Sequence, residues 1–555
     1  MSSETELKFR IPAARLAAVR RAVATRTALV EPLAAVYLDT PGEHLARARV
    51  ALRLRREGAI WVQTLKAEGA GAMHRLEHNV PLGASGDAGD AGGAGDAGGA
   101  GDAGGAGDAA DATQGPARAG RPAHDLARHA GTEAGAVLAR VLAEAGDAPL
   151  VERYATEVQR TRRTLRHGGA LIELALDEGR IVAGAASCAV CEIEFELLSG
   201  PPQALLAVAS RWVDRFGLVL DVRSKSERGH RLATAQATSA PTRARPLKLS
   251  ARSGLDTVLA AMLGNTLGQV LANASVLAEP GEGVTGPATA LATPATRPVP
   301  DPELLHQLRV GLRRLRTVLT VFAAQLPPAV TELAPALATL FTQLGAARDQ
   351  DAMAEWLWPA LQAAGAPPLH LPADPVGVSH DVLAGLLATP AVQQLWLALL
   401  GATLPGGRVG PPGPAPAPDA APAARGAPPL RAVLRKPLQQ LLRQVRRDAA
   451  RFGLLDVEAR HRLRRRIKRL RYAVELSASL WPGRRRARFL QVLQKAQTPL
   501  GEFNDSVVAQ AYCQTLATSD PQAWFAVGWL AAHRQSLEPL CTRALARLAK
   551  AGGFW

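Results

Sequence analysis

Cysteine is nearly absent from this chain: four residues in 555, at positions 188, 191, 513 and 541. A disulfide-stapled scaffold is thereby excluded, and a reducing compartment fits better. The one CxxC, Cys188-Ala-Val-Cys191, has no second pair and no histidine partner at zinc-ligand spacing, so Cys191 reads as a strand position ahead of Glu192. The Gly-x4-Gly-Lys-Ser/Thr signature is missing, which removes the P-loop nucleotide hydrolases. No stretch reads as a membrane-spanning helix, because Arg, Pro or Gly interrupts the most apolar windows. The N-terminus carries no basic-then-apolar signal pattern, so a cytoplasmic protein without a membrane partner is expected. Lysine is scarce as well, with 8 against 57 arginines. Residues 1–235 contain only Lys8, Lys66 and Lys225, each read as part of a charged strand motif: ETELK, TLK and SKSERG. A chain that otherwise prefers Arg thus keeps a compact ammonium at three chosen places.

Positive charge is abundant and unevenly placed. The formal net charge is +16; residues 301–555 hold 31 Lys/Arg against 17 Asp/Glu, whereas residues 1–300 are nearly balanced at 34 against 32. Residues 431–495 alone carry 20 Lys/Arg and four acids. Such a block points to a polyanion partner: nucleic acid, an acidic membrane surface or polyphosphate.

In the first half, charge recurs with a period of two. Along Glu4-Thr5-Glu6-Leu7-Lys8-Phe9, a β-strand would put Glu4, Glu6 and Lys8 on one face and Thr5, Leu7 and Phe9 on the other. The pattern returns at Arg53 and Arg55, Thr64 and Lys66, Arg75 and Glu77, Glu173 and Asp177, and Glu192, Glu194 and Glu196. Charges massed this densely on one face of strand after strand depart from an ordinary sandwich, whose inner faces are apolar. Such strands can close into an antiparallel barrel with a polar lumen and an outer face covered by helices.

The expected order for 1–84 is a strand, a helix from Pro12 to about Ala24, then strands around 36–39, 50–56, 60–66 and 76–81. A Gly/Ala/Asp tract at 85–122 reads as a disordered insert. Strands follow at about 153–166, 170–177, 180–183 and 189–198, then a helix from Pro202 to Phe216. A linker over 236–249 separates this first domain, 1–235, from an all-α domain over 250–555, with flexible stretches at 279–300 and 405–429.

The helical half contains a duplication. His306-Gln-Leu-Arg309-Val-Gly-Leu-Arg313-Arg-Leu-Arg316 matches His461-Arg-Leu-Arg464-Arg-Arg-Ile-Lys468-Arg-Leu-Arg471 at an offset of 155, and Leu344-Gly345 to Asp349 matches Leu500-Gly501 to Asp505 at 156. At helical spacing, His306, Arg309, Arg313 and Arg316 share a stripe roughly 80° wide beside an apolar stripe of Leu305, Leu308, Leu312, Leu315 and Leu319. His461, Arg464, Lys468 and Arg471 repeat it beside Leu463, Ile467, Leu470 and Val474. A solvated basic face is the ordinary reading of one such helix. Its recurrence in both copies, headed by His each time, favours two cationic walls of one groove.

The motifs ETELK (4–8), YLDT (37–40), ALRLR (51–55), TLK (64–66), Arg160, IELALDEG (172–179), CEIEFEL (191–197) and SKSERGH (224–230), in this order, resemble the CYTH superfamily of triphosphate tunnel metalloenzymes. The duplicated second half resembles the CHAD domain, a helical bundle with basic, His-containing helices that is often fused to CYTH and is associated with inorganic polyphosphate. The resemblance implies Glu4, Glu6, Glu192 and Glu194 as metal ligands, with Glu77, Glu173 and Asp177 as nearby acids for a second metal or for orienting water. It implies Lys8, Arg53, Arg55, Lys66, Arg160, Lys225 and Arg228 as triphosphate ligands. Where the family often ends its last motif in Tyr, this chain has His230, whose role stays open.

Oxygen ligands suit Mg²⁺ or Mn²⁺ rather than zinc. A lysine with a lowered pKa is a candidate base, and Lys66 or Lys225 is the choice. The expected function is hydrolysis of inorganic triphosphate in the barrel, with polyphosphate, rather than nucleic acid, bound by His306, Arg309, Arg313, Arg316, His461, Arg464, Lys468 and Arg471. Association with polyphosphate granules would follow. Two alternatives stand: adenylyl cyclase or thiamine triphosphatase chemistry in the same tunnel, and a non-catalytic polyphosphate-binding protein.

Overall fold

Charge on every second residue of the N-terminal segment produces the strand it predicts. In the computed structural model, β1 (Ser3–Arg10) buries Leu7 and Phe9 on one side while Glu4, Glu6 and Lys8 turn to the other. Seven more strands follow: β2 (Leu29–Asp39), β3 (Ala51–Glu57), β4 (Ile60–Gly71), β5 (His74–Ala84), β6 (Val151–His167), β7 (Ala170–Ala183) and β8 (Ala186–Ser199). Their order is β5-β4-β3-β2-β6-β7-β8-β1, and pairing of β1 with β5 closes the ring. All of these pairings are antiparallel, so the expected closed barrel is found. A two-residue strand, β9 (Val219–Leu220), lies along β1.

The described residues are 3–71, 73–84, 121–146, 148–236, 238–279, 301–345, 356–368, 380–404 and 429–555. The Gly/Ala/Asp insert and the stretches 279–300 and 405–429 fall outside them apart from end positions, as does Asp349. The described residues form two compact units, one within 1–240 together with Glu279, the other within 241–278 and 300–555.

Helices α1 (Leu16–Val23), α2 (His44–Arg47), α3 (Glu133–Ala145), α4 (Pro202–Phe216) and α5 (Lys225–Ala233) belong to the barrel unit. Leu138 and Val141 of α3 pack among Val36, Leu38, Leu52, Leu54, Trp61 and Leu65, the outward side chains of β2–β4. Around the ring, Phe9 meets Phe195 edge-on at 5.5 Å, and Phe195 meets Trp212 of α4 at 5.6 Å. Each fully buried side chain of this kind contributes roughly 1.5–3 kcal/mol. The apolar face is therefore outside, and the charged face is left for the lumen.

Two local expectations are corrected. Strands placed at 170–177 and 180–183 are one strand, β7. Asp177-Glu178-Gly179 reads as a turn, yet Gly179 lets β6 approach so closely that a Cβ there would lie 2.0 Å from the Glu157 carbonyl oxygen. Lys225, assigned to a strand motif, instead opens α5. Ser224 caps that helix by accepting a hydrogen bond from the Glu227 N–H, so Ser-Lys-Ser-Glu is an N-terminal helix signature. Gly229 holds α5 against the barrel wall, since a Cβ there would sit 2.2 Å from the Tyr154 ring.

In the second unit the main helices are α6 (Leu255–Leu277), α7 (Pro302–Val321), α8 (Pro328–Thr331), α9 (Ala334–Gln343), α10 (His380–Ala388), α11 (Pro390–Ala402), α12 (Leu430–Ala450), α13 (Val457–Leu476), α14 (Gly483–Leu516) and α15 (Ala523–Lys550). Contacts follow the duplication: α6 packs on α7 and α11, and α7 on α9, as α12 packs on α13 and α15, and α13 on α14. The halves join where α7 crosses α13. The apolar stripes read from the sequence are buried, with Leu308, Leu312, Leu315, Leu463, Ile467, Leu470 and Val474 fully inaccessible. By length and composition α6 is apolar enough to span a membrane, although no stretch is expected to be, Gly264 and Gly268 interrupting this one. Its glycines do not break the helix, and Val258, Leu259, Met262, Leu263, Val270 and Leu271 are buried within the bundle.

Candidate active site and candidate polyanion groove

Antiparallel register brings the charged rungs of four strands together. Arg160 on β6 stands opposite Asp177 on β7, Asp177 opposite Glu192 on β8, and Glu194 opposite Lys8 on β1. Arg160 donates from Nε and Nη2 to the two oxygens of Asp177, 2.7 Å each, and from Nη2 to Glu194 at 2.6 Å. Helix α5 delivers Lys225, whose Nζ lies 2.7 Å from Asp177, 2.5 Å from Glu192 and 2.8 Å from Glu194. Arg228, one turn on, donates to Glu192 at 3.3 Å. Lys8 Nζ is 3.9 Å from Glu192 and donates to the Arg223 carbonyl.

A second charged group lies on β1, β4 and β5. Lys66 reaches Glu4 at 3.0 Å and Glu77 at 2.6 Å, while Arg75 pairs with Glu6 at 3.1 Å. Glu173 pairs with Arg162 at 3.3 Å. Arg53 donates toward the Tyr37 hydroxyl at 3.4 Å, and Arg55 pairs with Glu57. Of the expected metal ligands, Glu192 and Glu194 thus join Asp177, and carboxylate oxygens of these three lie within 4.8 Å of one another. Glu4 and Glu6 stand with Lys66 and Arg75 instead. His230 lies 3.8 Å from Glu43.

Burial and charge oppose each other at Glu194, Lys225 and Lys66. Burial pushes the Glu194 carboxyl up, but Lys225 and Arg160 override it and hold it well below the carboxylate range. Burial would lower Lys225, yet Asp177, Glu192 and Glu194 raise it well above an ordinary lysine. Lys66 is likewise raised, by Glu4 and Glu77 against burial. The expectation of a lysine base with a lowered pKa is therefore corrected, because Asp177, Glu192 and Glu194 outweigh desolvation at Lys225, and Glu4, Glu77 and Glu6 do so at Lys66. Glu4 is pushed up to about 9 by burial, with Lys66 pulling the other way and a hydrogen bond with Glu77 adding to the rise.

Two residues escaped the sequence reading. Tyr37 and Tyr154 stack at 4.8 Å, and the Tyr154 hydroxyl meets Ser226 Oγ at 2.8 Å, so this pair fixes the start of α5 and with it Lys225. Tyr154 shares strand parity with Arg160 and stands opposite Tyr37, which was the available signal; the helix they seat comes from elsewhere in the chain.

In the helical unit, α7 and α13 carry the two cationic stripes. Arg309, Arg313 and Arg316 all lie over the ring of Phe341 on α9, at 5.1, 5.9 and 5.3 Å from its centroid. Arg309 also donates to the carbonyls of Leu344 and Gly345, 2.8 Å each. In the second copy Arg464 pairs with Asp505 on α14 at 3.2 Å, Arg471 with Glu475 at 3.4 Å, and His461 with Asn504. His306 heads the first stripe on α7 and is half-buried, like His461. Across the helix crossing, Arg313 is near enough to Arg464 and Lys468 to lower the pKa of each. Burial is the larger cause for both, and Lys468 falls to about 7. Arg314, one residue outside the stripe, is instead buried on Gln269 and Asn265 at 2.7 and 2.9 Å.

Comparison with known proteins agrees with this division. A CYTH domain model matches residues 2–218 and a CHAD domain model matches 288–514. The CHAD domain from the plant Ricinus communis is 28% identical over 57% of this chain and 98% of its own, with a TM-score of 0.42. A Hippeastrum protein described as an adenylyl cyclase candidate with a dominant triphosphatase activity is 16% identical over 42% of this chain and 96% of its own, TM-score 0.27. An inorganic triphosphatase is 18% identical over 37% of this chain and 80% of its own, TM-score 0.15. The chain therefore joins a CYTH domain, built as a closed eight-stranded barrel, to a helical CHAD domain.

Proposed function

We propose that the barrel is a metal-dependent inorganic triphosphatase, converting tripolyphosphate to diphosphate and phosphate, and that the helical unit binds inorganic polyphosphate. One observation carries the first half of this reading: Lys225 sits within 2.8 Å of three lumen carboxylates, with Arg160 on two of them and Arg228 on one. A lumen of acids alone would repel a triphosphate, and a lumen of bases alone would hold no metal. Here the two are interleaved.

The donor set fits a hard divalent cation. All three donors are carboxylates, and Glu192 Oε1 is buried without an aligned hydrogen bond although Lys225 is 2.5 Å away. Asp177, Glu192 and Glu194 would hold the ion, and Mg²⁺ or Mn²⁺ when bound supplies neutralisation of charge developing on phosphoryl oxygens. Arg160, Lys225, Arg228 and Lys8 then exchange carboxylate partners for phosphoryl oxygens, which fixes one end of the substrate. Lys66, Arg53 and Arg55 bind the other end from β3 and β4. Glu77 and Glu4 hold Lys66 in place, while Glu6 and Glu173 orient Arg75 and Arg162. Positioning plus fixed cations is most of what phosphoryl transfer requires.

For the helical unit, support comes from the meeting of both stripes at the α7–α13 crossing. His306, Arg309, Arg313 and Arg316 line one wall, and His461, Arg464, Lys468 and Arg471 the other. The reading carries with it a cytoplasmic location, at polyphosphate granules.

Phosphate release from tripolyphosphate, long-chain polyphosphate, ATP and thiamine triphosphate, each with Mg²⁺ and Mn²⁺, tests the barrel. Metal-dependent preference for tripolyphosphate is expected. Preference for ATP or thiamine triphosphate would replace the substrate, and no turnover alongside tight polyphosphate binding would reduce the protein to a binding role.

A further inference from the structure

Lysine is rare in this chain, yet one stands in the middle of the cationic crossing. Lys468 is half-buried on α13 and is flanked one turn before by Arg464 and one turn after by Arg471. Arg313 faces it from α7, and Asp505 from α14. Asp505 already accepts from Arg464 at 3.2 Å, and Glu475 pairs with Arg471 at 3.4 Å, so among the described residues the one acid that faces this ammonium is shared with a guanidinium. The position equivalent to Lys468 in the first repeat is Arg313, a guanidinium.

Crowded cations relieve their repulsion by releasing a proton wherever one can be released. A guanidinium, with a pKa above about 12, does not release one near neutrality, whereas an ammonium does so readily once partly desolvated. We propose that Lys468 is a proton-binding site built into the polyanion groove: the groove's hold on a phosphate polymer weakens as Lys468 loses a proton, and a bound polymer draws that proton back. This rests on the polyphosphate reading of the helical unit and adds its regulation. Burial, then Arg464 and Arg313, bring Lys468 down to about 7, whereas Asp505 acts in the opposite sense.

The sign follows from linkage. A polyanion favours the charged ammonium, so the bound state holds more protons than the free state above the free pKa. Affinity therefore falls with rising pH, by up to about tenfold per unit for one proton taken up. Well below pH 7 the ammonium is charged in both states and its contribution to the dependence vanishes.

The test uses the full chain with long-chain polyphosphate in EDTA, titrated calorimetrically from pH 6.5 to 9 in two buffers of different ionisation enthalpy. Wild type is expected to take up close to one proton per site at pH 8 and to weaken severalfold to tenfold per unit above pH 7.5. Lys468→Arg is expected to lose the slope above pH 7.5, and Lys468→Met to bind more weakly and to lose that slope as well. Wild-type binding with the same pH slope and proton count as Lys468→Arg would overturn the inference and leave the polyphosphate reading standing. Absence of binding at every pH would overturn the reading and the inference together.

Discussion

Arg160 and Asp177 face each other across β6 and β7, and the guanidinium meets the carboxylate through two parallel hydrogen bonds of 2.7 Å. Asp177 is wholly inaccessible. The same carboxylate lies 2.7 Å from Lys225, so one buried acid ties strand β6 to helix α5. Bidentate geometry at such a site adds orientation as well as energy.

Replacement of Asp177 by Asn keeps the shape and removes the charge. Arg160 and Lys225 then lose a common partner, and breaking a buried pair costs about 3–5 kcal/mol. Metal-dependent tripolyphosphate hydrolysis is expected to fall at least ~100-fold, since an electrostatic element of the site is gone. Phosphate release, with the melting temperature measured alongside, checks this; near wild-type turnover would remove Asp177 from the site.

Parity separates neighbouring arginines on β3. Arg53 and Arg55 are half-buried, whereas Arg56 is exposed and donates to the Gly58 carbonyl. Lys66→Met and Lys225→Met are therefore expected to lower the rate by at least ~100-fold, and Arg56→Met by less than ~3-fold. Initial rates on tripolyphosphate decide it, and equal losses at all three positions would show that the parity assignment of Arg56 away from the lumen is wrong.

His129 gives a stability that depends on pH. It is buried against Gln63 and His78, 2.9 Å from each, and burial together with His78 lowers its pKa from 6.5 to about 4. Between those values the unfolded chain binds a proton that the folded chain refuses. Stability is thus fully present above about pH 6.5 and is lost as pH falls toward 4. His129→Gln is expected to lose less melting temperature than wild type on going from pH 7 to pH 5. Calorimetric scans at the two pH values test it, and parallel losses would refute the assignment.

Phe341 lies beneath three guanidiniums, each within 6 Å of its ring. A cation over an aromatic face gains roughly 0.5–1 kcal/mol when exposed. Phe341→Leu preserves apolar volume and loses that attraction, so long-chain polyphosphate is expected to bind about 3- to 10-fold more weakly. Titration of the full-length variant measures this, with circular dichroism confirming an unchanged helix content.

Periodicity carries a great deal here. A two-residue alternation of charge at Glu4–Lys8, Arg53–Arg55 and Glu192–Glu196 determines that these strands have one polar and one apolar face, because side chains on a strand alternate by construction. Closure into a barrel with helices outside is one arrangement that shields the apolar faces, and it is the one that also gathers the charged faces around a lumen. The duplicated stripes of α7 and α13 are equally local, being set by 100° per residue, and their apolar halves are the buried ones.

What the alternation leaves open is which charges meet. Asp177 belongs with Glu192 and Glu194 because the register of β7 against β8 puts it there, and register depends on the ring closing as a whole. Lys225 reaches that triad from a helix capped by Ser224 and seated on Tyr154 at Gly229, a contact between segments some seventy residues apart in the chain. Its raised pKa, against the lowered one expected, is likewise a property of three neighbours rather than of the residue. Sequence by itself determined the faces of the elements and the types of charge they carry. Tertiary structure alone decided their partners and the balance of burial against charge, because both depend on distances across strands and helices that no single segment contains.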